Sequence, residues 1–198
     1  MKKSVGAQPL IFPSPLWVVG TYDSKRKPNA MALAWGGICC SLPPCVSISV
    51  QKIRYTYRNL LDREAFTVCV PSVKYAHQAD YFGIVSGKDA DKFSATGLTP
   101  VRGDLVDAPY VKEFSLALEC RVVHKLEIGS HTQFIGEVLD VKADDYIIGE
   151  NGLPDMLKAD PIVVGAKTWC YHRLGNYLGQ AFSIGKSEHN TEYNPDPK

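Results

Sequence analysis

Short segments rich in β-forming residues, separated by turns, run through most of this sequence and constrain its fold more than any other feature. Trp17–Tyr22 is followed by a charged turn at residues 23–28 and then by residues 29–35, an order that predicts a β-hairpin. Residues 45–50 alternate apolar and hydroxyl side chains, so the apolar side chains of this strand should share one buried face. The prolines at 43 and 44 place its start after them.

Helical patterns are few and short. Residues 57–63 predict a helix with Thr56 as its N-cap and with Leu60 and Leu61 facing inward. Residues 75–85 predict a second helix that ends at Ser86 and Gly87, followed by a charged connector at residues 88–93. Further strands are predicted at residues 65–70, 118–125, 133–141 and 161–165. Together these elements predict a mainly β fold with a few helices (α+β), either a barrel or two packed sheets, and they fit a parallel doubly wound sheet poorly.

Length and composition set the domain count. A chain of 198 residues with 45% hydrophobic residues is the size of one domain that can bury a substantial core. We expect residues 1–186 to form that domain. Residues 187–198 are polar, contain two prolines and lack periodicity, so they predict a mobile tail.

Charge and hydropathy argue against several partners. The formal net charge of +1 gives no overall attraction to nucleic acid or to an anionic membrane. No run of about 20 apolar residues is present, as a membrane-spanning helix would need. Residues 1–14 lack the apolar region of a signal peptide. We therefore expect a cytoplasmic protein that binds neither membrane nor nucleic acid.

The six cysteines lie in mostly apolar stretches and lack the paired Cys-x-x-Cys spacing of zinc sites. No metal site is predicted. The adjacent residues Cys39 and Cys40 invite a redox hypothesis, but free cysteine is among the most buried residue types. The sequence therefore favours both as small buried apolar residues.

One basic segment suggests an anion site. Lys52, Arg54 and Arg58 surround Thr56 at the start of the first predicted helix. Free backbone amides and the helix dipole favour an anion at such a position, and a cationic side chain adds charge-assisted hydrogen bonds. A phosphate group would fit this predicted anion site. Taken alone, the segment is explained more simply by an ordinary N-cap beside a solvated basic face.

The order of several motifs resembles the flavin reductase-like family, whose members include the flavoredoxins and share an FMN-binding split barrel. The resemblance covers roughly residues 9–185. It depends on Pro28-Asn29-Ala30-Met31, Ser41-Leu42-Pro43-Pro44, Arg54-Tyr55-Thr56-Tyr57-x-Asn59, Ser86-Gly87-Lys88-x-x-x-Lys92-Phe93 and Gly129-x-His131-x-x-x-Gly136-Glu137-Val138.

The resemblance implies a split β-barrel that binds FMN non-covalently. It implies that residues near the ring and at the phosphate hold the cofactor: Asn29, Ala30, Met31 and Trp35 near the ring, Arg54 and Thr56 at the phosphate, and Lys92 and His131 closing the site. The residue types alone leave simpler roles open. An asparagine after a turn proline is commonly a turn former, Met31 and Trp35 fit ordinary core packing, a single lysine is commonly solvated, and a histidine at a sheet end often bonds the backbone.

The same resemblance implies an oxidoreductase that passes electrons through FMN, with NADH, NADPH or a redox protein as donor. No nucleophile, base and orienting acid stand in a recognisable spacing, so no protein catalytic residue is predicted. The alternatives are a flavin electron carrier, a storage module without nicotinamide-dependent activity, and a barrel without cofactor. A homodimer with the flavin near the subunit boundary is also implied. The aromatic and basic residues 169–173 either cover the flavin, form a subunit contact or pack internally.

Overall fold

Residues 1–187, which the computed structural model describes, form an open β-barrel decorated by short helices. The strands are β1 (Ser14–Pro15), β2 (Trp17–Tyr22), β3 (Pro28–Leu33), β4 (Gly36–Ser41), β5 (Pro44–Gln51), β6 (Ala65–Val70), β7 (Pro100–Arg102), β8 (Pro109–Val111), β9 (Leu116–Ile128), β10 (His131–Ala143), β11 (Ile162–Gly165) and β12 (Cys170–Arg173). The α-helices are α1 (Tyr55–Arg63), α2 (Ala76–Ile84), α3 (Lys92–Thr96) and α4 (Met156–Ala159). Short 3-10 helices cover Val73–Tyr75, Asp145–Ile147 and Ile184–Ser187.

The largest sheet has seven antiparallel strands in the order β3-β2-β6-β9-β10-β5-β4. Its two edge strands, β3 and β4, are consecutive in the chain and are joined only by Ala34 and Trp35. Three steps between Cα atoms span at most about 11 Å, so the sheet must curl until its edges come close. The edges do not pair with each other, and the result is a barrel split between β3 and β4.

Side-chain alternation along the strands divides the core into two clusters. Val19 and Met31 point into the barrel, where they join Ile48, Phe66 and Phe134. The neighbouring residues on the same strands, Val18 and Ala30, face outward and pack with Phe82 of α2 and Phe93 of α3. Because successive side chains of a strand point to opposite faces, one hairpin contributes to both clusters. Helices α2 and α3 therefore cover the outside of β3, next to the split.

Two small sheets complete the fold. Strands β1, β11 and β12 form a three-stranded antiparallel sheet, and β7 pairs with β8. The three-stranded sheet brings the turn after β11 to the split side of the barrel, because β1 leads directly into β2. Within residues 1–187, no helix is long and apolar enough to cross a membrane.

Several expectations from the sequence are confirmed. The fold is mainly β and is a split barrel. Strands β2 and β3 form the predicted hairpin, and residues 65–70 form β6. The alternating apolar residues of β5 share one buried face, in the barrel interior. The predicted tail lies outside the described residues, except for Ser187, which ends the last 3-10 helix.

Other expectations were wrong in detail. Helix α1 begins at Tyr55 with Arg54 as the N-cap residue, so Thr56 is not the N-cap, and the Arg54 side chain makes no capping hydrogen bond. The turn that links Gln51 to Arg54 starts the helix earlier than the sequence suggested. Cys39 and Cys40 are exposed, because β4 is an edge strand of the open barrel. Strands β9 and β10 are longer than predicted, β4 was missed, and part of the charged connector forms α3.

Candidate functional site

A cavity of about 410 Å³ opens at the split of the barrel. Its wall comes from the link between β3 and β4, the end of β5, helix α2 and the turn after β11. The lining includes Met31, Trp35, Arg54, His131, Trp169 and Tyr171. The volume lies in the range of small-molecule and cofactor sites, and aromatic walls with a few polar groups are typical of them.

Three aromatic rings form a column along this larger cavity. The rings of Trp35 and Trp169 stack with centroids 5.9 Å apart and an interplanar angle of 27°. The His131 ring also stacks on Trp35, with ring centroids 6.5 Å apart and an interplanar angle of 16°. Trp169 lies in the turn between β11 and β12, and its backbone has a φ of 56°, in the left-handed region. The column therefore presents flat faces to the cavity, on which a planar ligand would stack.

Strand β12 is anchored beside this column. The Tyr171 hydroxyl donates a 2.6 Å hydrogen bond to Oδ1 of Asp80 on helix α2. Burial, followed by the hydrogen bond and the charge of Asp80, raises the pKa of Tyr171 to about 12. The phenol therefore stays protonated and continues to donate at neutral pH. This bond holds the turn that carries Trp169 against the barrel.

A second, smaller cavity of about 230 Å³ adjoins the first, since both are lined by Met31, Gln51, Arg54 and Ile84. It lies between the start of α1 and the loop that follows α2. Other residues of its lining are Thr56, Val85, Ser86, Gly87 and Lys92. The smaller cavity thus has a helix N-terminus and two cations in its wall.

Lys92 is the most unusual residue of the smaller cavity, because its side chain is only 4% exposed. Its Nζ donates 3.1 Å hydrogen bonds to the backbone oxygens of Phe82 and Val85. Burial, followed by the nearby charge of Arg54, lowers the pKa of Lys92 to about 8. The charged ammonium group is therefore destabilised in this position, and an anion bound in the cavity would stabilise it.

Arg54 reaches the same wall from the N-cap position of α1. Its Nη1 donates to the backbone oxygen of Gly83, at 3.2 Å. None of the ion pairs among residues 1–187 involves Arg54 or Lys92. Two cations without a carboxylate partner, beside the first turn of a helix, provide the electrostatics of an anion site.

Thr56 and Asn29 are buried behind this wall. Asn29 Nδ2 donates a 2.9 Å hydrogen bond to Oγ1 of Thr56, while its own Oδ1 is buried and has no hydrogen-bond partner in the described range 1–187. A Cβ atom on Gly87 would lie 2.3 Å from that oxygen, so glycine is required there for close approach of the loop. The Thr56 hydroxyl, having accepted from Asn29, keeps its own proton free for an acceptor in the cavity.

The predicted site residues fall into two groups. Met31, Trp35, Arg54 and His131 line the larger cavity, and Thr56 and Lys92 join Met31 and Arg54 in the smaller one. Asn29 touches the site through Thr56. Ala30 is the exception, because its side chain packs in the outer core cluster.

No specific role was predicted from the sequence for Trp169, Tyr171 or the Ser86-Gly87 turn. A signal was present for the first two, since residues 169–173 form an aromatic and basic cluster. Nothing in the sequence indicated that Tyr171 would meet Asp80, which is 91 residues away. Among residues 1–187, no group of three or more His, Cys, Asp or Glu side chains is placed to hold a metal ion.

Comparison with known proteins gives consistent matches. A protein-family model described as "Flavin reductase like domain" matches residues 10–154. The chain is similar to the solved flavoredoxin of Desulfovibrio vulgaris (Miyazaki F), with 51% identity, a TM-score of 0.90, and coverage of 93% of this chain and 100% of that chain. It is also similar to the flavoredoxin from Methanosarcina acetivorans, with 32% identity, a TM-score of 0.86, and coverage of 94% and 100%. An uncharacterized protein of Archaeoglobus fulgidus is 33% identical over 144 residues, which are 71% of this chain and 80% of that protein.

Proposed function

Because this chain belongs to the flavin reductase-like family, we propose that it binds FMN non-covalently in the two adjoining cavities and acts as an oxidoreductase. A redox role connected with a flavin follows from the family. The choice of FMN is our proposal. The observation that carries it is the cation pair Arg54 and Lys92, which forms no ion pair with a carboxylate among residues 1–187 and lines the smaller cavity beside the N-terminus of α1.

The donors of the smaller cavity fit a terminal phosphate. Arg54 and Lys92 supply charge, Thr56 supplies a hydroxyl proton, and the first turn of α1 supplies backbone N–H groups. A phosphate monoester would be held by these groups with most of its oxygens satisfied. Because the cations are already in place, their desolvation cost is met during folding and not during binding.

The larger cavity fits a flat ring system. Met31, Trp35 and His131 line it, and Trp169 shields it from one side. When bound, FMN would supply the exchange of a hydride or of single electrons, which none of the protein side chains can provide. The side chains hold the ring and limit the access of water, and no protein acid or base is needed for this role.

The proposed reaction takes electrons from NADH or NADPH, or from a redox protein. Similarity to the two solved flavoredoxins named above supports electron transfer through a flavin. The main alternative also transfers electrons, but as a carrier without nicotinamide-dependent activity. The deciding experiment is an anaerobic titration of the FMN-loaded protein with NADH and NADPH while the flavin absorption band is followed. Rapid bleaching by either nucleotide supports the enzyme, bleaching only by a protein donor supports the carrier, and no competent donor supports a storage module.

The phosphate assignment is tested by single substitutions on α1 and at its cap. Thr56→Ala and Arg54→Gln should each weaken FMN binding by about 5- to 150-fold, as expected for the loss of a charge-assisted hydrogen bond worth about 1–3 kcal/mol. Arg58→Gln is the matched control, because Arg58 is an exposed cation on the same helix and pairs with Asp62. Equal affinities in all three variants would refute the assignment.

The choice between FMN and FAD is tested separately. A site that ends in two cations and a helix N-terminus suits a terminal phosphate, whereas the diphosphate of FAD continues into an adenosine. Apoprotein exposed to equal amounts of both flavins should release FMN when the bound cofactor is analysed by mass spectrometry. Recovery of FAD alone would contradict the proposal.

We also propose a cytoplasmic homodimer. The free state of all six cysteines fits a reducing compartment. The segment after β12 exposes Tyr177, Leu178 and Phe182, the last at 94%, and an apolar stretch of this kind is typical of an interface. Light scattering should give the mass of two chains, and Phe182→Ser should shift the protein towards monomer. A wild-type mass of one chain would exclude the dimer.

A further inference from the structure

A third cavity, of about 440 Å³, contains a cluster of thiols at the far end of the β4–β5 hairpin. Its lining includes Cys39, Cys40 and Cys45 together with Pro43, His124 and Glu137. This place is separate from the flavin site. Trp35 immediately precedes β4, and the five steps along the strand from Trp35 to Cys40 span about 16 Å when extended.

The pairing of the two strands selects one pair of thiols. Cys40 of β4 stands directly opposite Cys45 of β5 in the antiparallel register. The register shifts between Ile38 and Cys40, so Cys39 is the extra residue of an irregularity and has no partner on β5. Cross-strand neighbours have Cα atoms about 4.5–5.5 Å apart, and disulfides need about 4.4–6.8 Å. Cys40 and Cys45 can thus be joined without moving the backbone far.

The two thiols differ in their surroundings. Cys40 is exposed, whereas Cys45 is buried. Burial, followed by the nearby thiols of Cys40 and Cys39, raises the pKa of Cys45. An oxidant from solution therefore reaches Cys40 first, and Cys45 is protected until a bond to Cys40 has formed. An exposed attacking thiol with a buried resolving thiol beside it is the arrangement of a reversible dithiol switch.

We propose that Cys40 and Cys45 form a reversible cross-strand disulfide when the protein meets a small-molecule disulfide such as oxidised glutathione. Cys40 Sγ attacks one sulfur of the glutathione disulfide, which forms a mixed disulfide and releases one glutathione. Cys45 Sγ then attacks Cys40 Sγ and releases the second glutathione. Two protein thiols are oxidised to one disulfide, one glutathione disulfide is reduced to two thiols, and the two thiol protons pass to the released glutathione molecules.

The bond would close a small loop across the tip of the hairpin. The loop consists of residues 40–45, and within the described part of the chain the edge strand β4 pairs with β5 alone. Closing the loop would stop the tip of β4 from separating from β5, because no second strand among residues 1–187 is hydrogen-bonded to β4. This inference does not depend on the proposed function, since it concerns thiols outside both flavin cavities.

The experiment treats the reduced full-length protein with oxidised glutathione and follows its intact mass under native conditions. Wild type should lose about 2 Da, the mass of two hydrogens, without retaining glutathione. Free thiols are then blocked, the protein is reduced, and the newly freed thiols receive a second label. The second label should appear only on Cys40 and Cys45.

Matched variants make the result specific. Cys40→Ser and Cys45→Ser should each abolish the 2 Da loss, and Cys40→Ser should acquire no bridge elsewhere. Cys39→Ser and Cys170→Ser, at the other two exposed cysteines, should oxidise as wild type does. Cys45→Ala replaces Cys45→Ser if the buried hydroxyl prevents folding, as judged by circular dichroism. No loss of mass in wild type, a bridge that persists in Cys40→Ser, or a disulfide between two chains would each overturn the proposal.

Discussion

The buried ammonium group of Lys92 gives the most direct test of the site, because its charge should make the stability of the apoprotein depend on pH. Burial, followed by the charge of Arg54, lowers the pKa of Lys92 from 10.5 to about 8. In the unfolded chain the same group keeps its ordinary pKa. Between these two values the unfolded state binds more protons than the folded state, so the free energy of unfolding rises with pH.

The size of this effect follows from the two pKa values. At about 1.4 kcal/mol per pH unit, the span from 10.5 to about 8 corresponds to about 3 kcal/mol. The penalty is fully present below pH 8 and disappears as the pH approaches 10.5. Between pH 7.5 and pH 10, the free energy of unfolding should therefore gain about 2 kcal/mol from this group alone.

The informative variant is Lys92→Met, which keeps a long apolar side chain without the charge. It removes the cost of the buried cation, but it also leaves the carbonyls of Phe82 and Val85 without their donor, at about 1–3 kcal/mol each. The two effects oppose each other, so the stability of the variant at a single pH is not diagnostic. Its dependence on pH is diagnostic, because the lost hydrogen bonds do not titrate.

The assay is urea unfolding of apoprotein at several pH values between 7.5 and 10, for wild type and Lys92→Met. Other titrating groups contribute equally to both proteins, so the difference between the two curves isolates Lys92. Lys88→Met is the control, because Lys88 is exposed in the neighbouring loop, and it should follow wild type. Parallel curves for wild type and Lys92→Met would show that Lys92 is not a buried cation and would refute the reasoning.

The same experiment connects to the proposed cofactor. A phosphate bound in the smaller cavity would favour the charged form of Lys92 and raise its pKa. FMN affinity should therefore fall above pH 8 more steeply in wild type than in Lys92→Met. A fall of equal steepness in both proteins would place the phosphate away from Lys92, while leaving the stability prediction untouched.

Three further predictions test other parts of the structure. Gly20→Ala should lower the free energy of unfolding, measured by urea titration, by about 3 kcal/mol, because its Cβ would lie 1.9 Å from a backbone oxygen. Gly37→Ala is the control, because its Cβ would lie in open space and the free energy of unfolding should hardly change. Glu119→Gln should lower the free energy of unfolding by about 3 kcal/mol, because this fully buried carboxylate accepts hydrogen bonds from three backbone N–H groups and forms an ion pair with Lys142. A variant as stable as wild type would contradict this prediction. His131→Ala should weaken FMN binding about fivefold by removing a stacked ring, without preventing flavin reduction, and unchanged affinity in a fluorescence titration would remove His131 from the site.

The strand pattern of this protein could be predicted from the sequence because it depends on local properties. β-Propensity and period-two alternation act over a few residues, so the β2–β3 hairpin and the buried face of β5 were predicted correctly. The basic segment around Arg54 was visible for the same reason, since three cations near one helix start are a local feature. The order of the motifs then indicated the family.

The tertiary structure decided which residues became buried and which remained accessible. Cys39 and Cys40 have the same apolar sequence surroundings as buried cysteines, but the opening of the barrel makes β4 an edge strand and leaves both exposed. Lys92 resembles a solvated lysine until α3 packs it beneath two carbonyls of the segment that ends α2. The side chain of Tyr171 meets Asp80 only because the β11–β12 hairpin folds back onto helix α2. Burial and such contacts depend on segments that are distant in sequence, and no local pattern encodes them.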